Sequence, residues 1–396
     1  MKMKRTIITA AMSAICICST AQSNSIAEIM ESIEQNNPAL NTLRKQTDAQ
    51  KIENKTGIYL SNPEVEYAYL WGDPSSVGKR HNINVTQTFD FATISGMKNR
   101  MADKNNELAD ISFLSGRQTI LLEAQKLCLD VIYCNAMMQE LGERLKRSQI
   151  LAETGKKRLE EGDASMIEYN KVMLNLATVK GEMTRMETEK ASAMDNLKRL
   201  NGGKPVELTD VSYGAEQILP ENFDIWYAET ESRNPSIQYA KQQIEIKKYG
   251  VKLSKAMGLP SLSAGYTSEL TKDVSYRGIA VGLSIPLWEN KKKVKLAQAG
   301  VVAAEAQNEE NKNTLYSQML ELYNRAKGLR STADIYKQAL KDSNSTLLLQ
   351  KALDEGQISL LDYILEVELY YNAKDQALSA ERDYRKTLAE LFAAEL

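Results

Sequence analysis

Histidine is all but missing from this sequence: His81 is the only one among 396 residues. One imidazole cannot build a histidine metal cluster, and at the start of a strand-like segment an exposed or interfacial His81 is the simpler reading. Glycine-rich phosphate loops, a G-x-S-x-G elbow and C-x-x-C pairs are absent too, so neither catalysis nor a cofactor is expected. Excess positive charge is lacking, since 50 Lys and Arg face 52 Asp and Glu, and a pI near 5.9 leaves no electrostatic footprint for nucleic acid. Beyond Ala21 no stretch approaches the roughly 20 apolar residues of a spanning helix. With a mean hydropathy of −0.41, a polytopic helical membrane protein is excluded, and any entry into a membrane must use strands.

Residues 1–21 read as an export signal. Lys2, Lys4 and Arg5 form a basic start, Thr6 to Cys18 is mostly apolar, and Ser19-Thr20-Ala21 offers a small-x-small cleavage site before Gln22. Its removal leaves 47 basic against 52 acidic residues. Cys16 and Cys18 leave with it, each behind an isoleucine where a lipid-accepting cysteine wants a small residue, so no acyl anchor is expected. Cys128 and Cys134 remain, six positions apart. On one helix that spacing turns them about 240° from each other, which favours two buried thiols over a disulfide.

What the chain does have is a duplication. Asn37-Pro38 recurs as Asn234-Pro235, and Asn62-Pro63-Glu64-Val65 as Leu259-Pro260-Ser261-Leu262, both 197 residues on. Leu159-Glu160-Glu161-Gly162 matches Leu353-Asp354-Glu355-Gly356 at an offset of 194, followed by Ser165 and Glu168-Tyr169 against Ser359 and Asp362-Tyr363. Each copy starts with an expected helix of roughly 35 residues, about 25–60 and 222–257, ended by Pro63 or Pro260. Alternation then predicts strands over 64–71 and 81–91 in the first copy and over 261–270 and 278–288 in the second. Val65, Tyr67, Tyr69 and Trp71 share one face of the first, while Gly278, Ala280, Gly282 and Ser284 share the small-residue face of the last. Apolar-out and small-or-polar-in alternation over about ten residues is the weak signature of a transmembrane β-barrel, and taken alone these four segments favour an ordinary surface hairpin.

Long helices follow each strand pair. No proline interrupts 96–161 or 290–355, 66 residues each, which as continuous helix would span about 100 Å. Ile120, Ala124, Leu127, Val131, Cys134, Met138, Leu141 and Leu145 step alternately by four and three. Leu315, Met319, Leu322, Ala326, Leu329, Ala333, Tyr336 and Leu340 repeat the pattern 195 residues later. Both runs are heptads and predict coiled-coil packing. Gly162 and Gly356 are read as C-caps, after which second helices return over about 165–200 and 359–391. The expected organisation is a signal peptide over 1–21, repeats over 22–200 and 221–396, and a Gly- and Pro-containing linker over 201–220.

This order of elements resembles the TolC family of outer-membrane efflux channels. The resemblance is densest in Gly356-Gln357-Ile358-Ser359-Leu360-Leu361-Asp362, in Leu369-Tyr370-Tyr371-Asn372-Ala373-Lys374 and in Gly162 to Glu168. It implies a mainly α fold with a small β part. Duplicated helical hairpins would form an α-barrel, and four strands per chain would enter the twelve-stranded barrel of a homotrimer. It further implies a passive outer-membrane duct of a tripartite efflux or type I secretion system, set in outer-membrane lipid and fed by an inner-membrane pump through a periplasmic adaptor. The strand count agrees, because four strands cannot close a membrane barrel whose smallest members have about eight. By the same resemblance, Asp362 and Glu168 are the acidic pore-gate positions, and Gly162-Asp163 and Gly356-Gln357 are the adaptor-docking tips. The family's second acidic position is Leu365 here, and its latch tyrosine and arginine are Leu353 and Ile358, which implies an acidic ring without that polar latch. The competing reading is an exported coiled-coil scaffold without a pore, which accounts for the heptads but not for the four alternating strands.

Overall fold

The computed structural model describes residues 25–89, 92–214, 217–288, 290–342 and 345–396, so the expected signal over 1–21 lies outside the described residues. The chain opens with α1 (Ile26–Asn36) and α2 (Pro38–Asn54), not with the single helix expected over 25–60. Asn37 makes the break: it sits at φ −66°, ψ 120°, and its side chain accepts from the Leu40 amide at N3 while Pro38 takes N1. Proline lacks the N–H and pushes the residue before it out of the α region, so an Asn-Pro pair ends one helix and caps the next. The second copy repeats the break, with α5 (Phe223–Thr230) and α6 (Pro235–Ala256) parted by Asn234 at φ −65°, ψ 124°. The residues that betray the duplication are therefore the ones that divide its first helix.

Four strands form one antiparallel sheet in the order β1 (Glu64–Trp71), β2 (Lys79–Phe89), β3 (Ser261–Thr271) and β4 (Ser275–Ser284). β1 has its expected bounds. β2 starts two residues before the expected 81–91 and ends at Phe89, while Asp90 and Phe91 lie outside the described residues. β4 replaces the expected 278–288 with a segment three residues nearer the hairpin, and residues 285–288 are not strand. Ser284 pairs with Ser261, the first residue after Pro260, so β4 runs out of partner there, and Pro286 has no N–H to extend the ladder.

From the sheet the chain enters α3 (Ala92–Glu161), a helix of 70 residues, and returns through α4 (Met166–Leu200). The described residues of 201–222 contain neither helix nor strand. In the second copy the run expected over 290–355 is described as α7 (Lys293–Asp342) and α8 (Ser345–Asp354), and α9 (Leu360–Leu391) returns. Heptad positions of both copies are buried or half-buried. The core is a chain of small clusters along the seams. Cys128, Val131 and Ile132 of α3 meet Leu197 of α4 and Ile33 of α1, while Cys134, Met137 and Leu141 meet Val179 and Met186. Ala326 of α7 packs under Tyr384, Leu388 and Leu391 of α9. Both cysteines are free and buried, in different clusters.

Ion pairs run up the line where α3 of the first copy meets α9 of the second. Lys126 pairs with Glu390, Lys386 with Asp130 at 2.8 Å, Lys374 with Glu140 at 2.5 Å, and Arg144 with Asp375. From Lys126 to Arg144 on α3 the partners fall from Glu390 and Lys386 to the neighbouring Lys374 and Asp375 on α9, as antiparallel helices require. Each helix contributes both cations and carboxylates, and each of these meets the opposite charge on its neighbour.

Candidate functional site

Antiparallel partners direct their side chains to the same face, so the register decides what each face of the sheet presents. Val65, Val85, Tyr266 and Ile279 lie in one row, and Phe89, Leu262 and Leu283 in another nearer the helices. The apolar sets expected separately for four strands thus form one surface. Nothing among the described residues covers it: Val65 is 71% exposed, Ile279 84% and Val281 77%.

The other face carries Glu64, Glu66, Arg80, Asn82, Asn84 and Glu269, with Gly278, Gly282 and Ser284 on β4. Its polar groups satisfy one another. Asn84 donates to Glu66 at 3.2 Å and accepts from the Thr267 hydroxyl at 2.7 Å, and Arg80 Nη2 donates to Glu269 at 2.6 Å. Small residues let strands close up here, since a Cβ at Gly265 would lie 2.5 Å from the Val85 carbonyl oxygen and one at Gly282 2.4 Å from Ser263 Oγ. β1 and β4 are left as open edges. Hydrocarbon offers such edges no partner, so in a membrane they must pair with strands of other chains. No helix among the described residues is long and apolar enough to cross a membrane, and no group of three or more His, Cys, Asp and Glu there could hold a metal.

The two helical turns, 194 residues apart, are built alike. Gly162 has φ +80° and Gly356 φ +70°. The Gly162 amide donates to Leu159 and the Asp163 amide to Arg158; the Gly356 amide donates to Leu353 and the Gln357 amide to Ala352. This is the Schellman pattern, which requires a left-handed residue at C′ and so selects glycine. The return helices start on Ser165 and Ser359. Glu168 closes a capping box on Ser165, its carboxylate accepting from the serine amide at 2.7 Å, while Asp362 accepts from the Ser359 hydroxyl at 2.6 Å. Both acidic candidates therefore hold N3 positions and stabilise helix starts, where negative charge also suits the helix dipole. The S-x-x-E and S-x-x-D spacings signalled this in the sequence. Asp163, Gln357 and Asp362 are exposed and Glu168 is half-buried. Leu365, one turn beyond Asp362, is 62% exposed, and Leu353 packs beside Ala152, Val172 and Leu360.

Above the turns lies a cluster that the sequence reading missed. The Arg144 guanidinium makes two bonds to Asp375, at 2.8 and 2.5 Å, and stacks 4.3 Å from the Tyr371 ring centroid. Arg147 donates to the Tyr371 hydroxyl at 3.1 Å. No local motif announces partners 231 positions apart.

A family model described as Outer membrane efflux protein matches residues 226–394. "Outer membrane protein TolC" of Salmonella enteritidis is 21% identical over 403 residues, covering 92% of this chain and 80% of its own length. The chain resembles the TolC family of outer membrane efflux proteins. Among relatives of the family, the "Alkaline protease secretion protein AprF" of Pseudomonas aeruginosa is 21% identical across 76% of this chain and 66% of its own length. The crystal structure of CusC, described in terms of folding and transmembrane channel formation, shares the TolC-like fold with a TM-score of 0.77. It covers 94% of this chain and 92% of its own at 13% identity.

Proposed function

We propose that the chain is the outer-membrane duct of a tripartite efflux or type I secretion system, conducting cargo passively and catalysing nothing itself. The observation that carries this reading is the two-faced sheet, apolar and uncovered on one side and polar and internally hydrogen-bonded on the other. Three copies would supply twelve strands, satisfy the open edges of β1 and β4 and enclose the polar face around water. The reading divides the chain into an export signal over 1–21, repeats over 22–200 and 221–396 and a linker over 201–220. Turns at Gly162-Asp163 and Gly356-Gln357 then point into the periplasm as docking tips for an adaptor that also holds an inner-membrane pump. Asp362 and Glu168 near those tips are the acids proposed to ring the closed pore, where confined like charges attract cations.

Fractionation tests the duct against the pore-less scaffold. The chain should stay with outer membrane until detergent is added and then migrate as a trimer, whereas a detergent-free soluble monomer would favour the scaffold. The gate has its own test: Asp362→Asn should lower cation selectivity in planar bilayers, and Leu365→Asp, adding a second acidic ring, should raise it. Unchanged selectivity in both would leave Asp362 as a helix cap only.

A further inference from the structure

The outward face of the sheet is apolar near the helices and changes character at the hairpins. Its strand cations, Lys79 and Arg277, and His81 all lie in rows toward that end, while the strand carboxylates Glu64, Glu66 and Glu269 sit on the opposite face. Every strand joins a helix at its other end, so in the membrane reading the hairpins 72–78 and 272–274 lie at the outer surface. Lys79, beside Trp71 in the register, stands 5.9 Å from the Tyr69 ring centroid, and Tyr67 and His81 Nδ1 share a hydrogen bond of 2.8 Å. Between the hairpins opens a cavity of about 540 Å³ lined by Trp71, Lys79, His81, Leu270 and Lys272 among others. Asp73 and Asp273 lie in the hairpins without lining it. Among the described residues neither Lys79 nor Lys272 has a carboxylate partner, and the size falls within the range of small-molecule sites.

Resting on the duct reading, we propose that this cavity binds the phosphate-bearing headgroup of an outer-leaflet lipid. Lys79 and Lys272 meet the phosphate as point charges, and Trp71 and Leu270 meet the apolar part below it. Cations and aromatics gathered at one end of an apolar band suit a phase boundary, where each keeps its polar end in water. Lipid, not free phosphate, is the favoured source because the cavity opens beside the uncovered apolar rows.

The test uses the full chain in phosphatidylcholine vesicles, with bromine on the acyl chains either of the phosphatidylcholine or of 20 mol% phosphatidic acid. At equal bromine, brominated phosphatidic acid should quench tryptophan fluorescence at least twofold more. The excess should vanish in Trp71→Phe, fall by half or more in Lys79→Gln/Lys272→Gln, persist in Lys79→Arg/Lys272→Arg, and resist millimolar inorganic phosphate. Equal quenching by the two lipids in the inserted wild type, an undiminished excess in the glutamine variant, or displacement by inorganic phosphate would overturn the proposal. Failure of the wild type to insert into either vesicle would instead overturn the duct reading on which it rests.

Discussion

Arg144 lies in the seam between α3 and α9 with a side chain only 4% exposed, and Asp375 is its carboxylate partner. Removing one member of a buried pair leaves an uncompensated charge, which costs about 3–5 kcal/mol, whereas exposed pairs contribute below about 1 kcal/mol. Asp375→Ala should therefore lower the denaturant midpoint in detergent far more than Glu143→Ala, whose partner Lys146 is 72% exposed. Similar losses for the two would remove the seam pair from the account. Acid should act through Glu34 and Glu381. Hydrogen bonding from Arg117 holds Glu34 below the ordinary carboxylate value, although burial opposes it. Burial works to raise Glu381, but hydrogen bonds and charges from Lys337 and Arg385 outweigh it and leave that carboxyl lowered too. A depressed carboxyl contributes stability above its unfolded value and loses it as pH falls through its folded value. Stability should thus decline as pH drops from the ordinary value of 4.5, with a shallower slope in Glu34→Gln/Glu381→Gln, read as melting midpoints from neutral pH down to acid. An unaltered slope would place the acid sensitivity elsewhere. Burial also pushes the Cys128 thiol up to about 12, and burial with nearby carboxylates pushes Cys134 up to about 11. Neither should be alkylated by iodoacetamide at pH 8 until the chain is unfolded. Their burial was legible from their spacing on one helix and, for Cys134, from the heptad; the Arg144 pairing was not, because it depends on how two distant helices align.

At the scale of elements, what the sequence revealed depended on whether a boundary is set locally. β1 and the return helices have local stops, Pro63 before the one and Ser165 or Ser359 before the others, and they begin where expected. β4 ends where its partner begins, a property of the pairing with Ser261 and not of its own alternation. The division at Asn37 and Asn234 was visible as a repeated Asn-Pro pair, but its meaning lies in the cap that the asparagine supplies. The turn glycines give a test of the same reasoning. A Cβ at Gly162 or Gly356 would meet nothing within 4 Å, so Ala there should cost only the left-handed backbone penalty, about 1 kcal/mol. At Gly202, with φ +65°, the added Cβ would lie 2.5 Å from the Asn36 carbonyl oxygen, so Gly202→Ala should cost clearly more. Equal melting shifts for the three alanine variants would contradict the contact.

On the scale of the whole molecule, the apolar sheet face and its two open edges are the features a single chain leaves unresolved. The long paired helices continue away from the sheet, so whatever closes the strands must also gather the helices around the same axis. In the proposed reading, that joint closure is what would turn a helical hairpin protein into a duct. It was legible in outline because strand alternation and heptads recur together in each copy, while the side-by-side alignment of the apolar sets of the four strands emerged only from the register. The most direct measurement is single-channel conductance of the detergent-purified chain in planar bilayers. Discrete, long-lived steps that depend on three chains, shown by their loss when trimers are dissociated before addition, are the predicted result. A silent bilayer from intact, membrane-extracted trimers would contradict the duct.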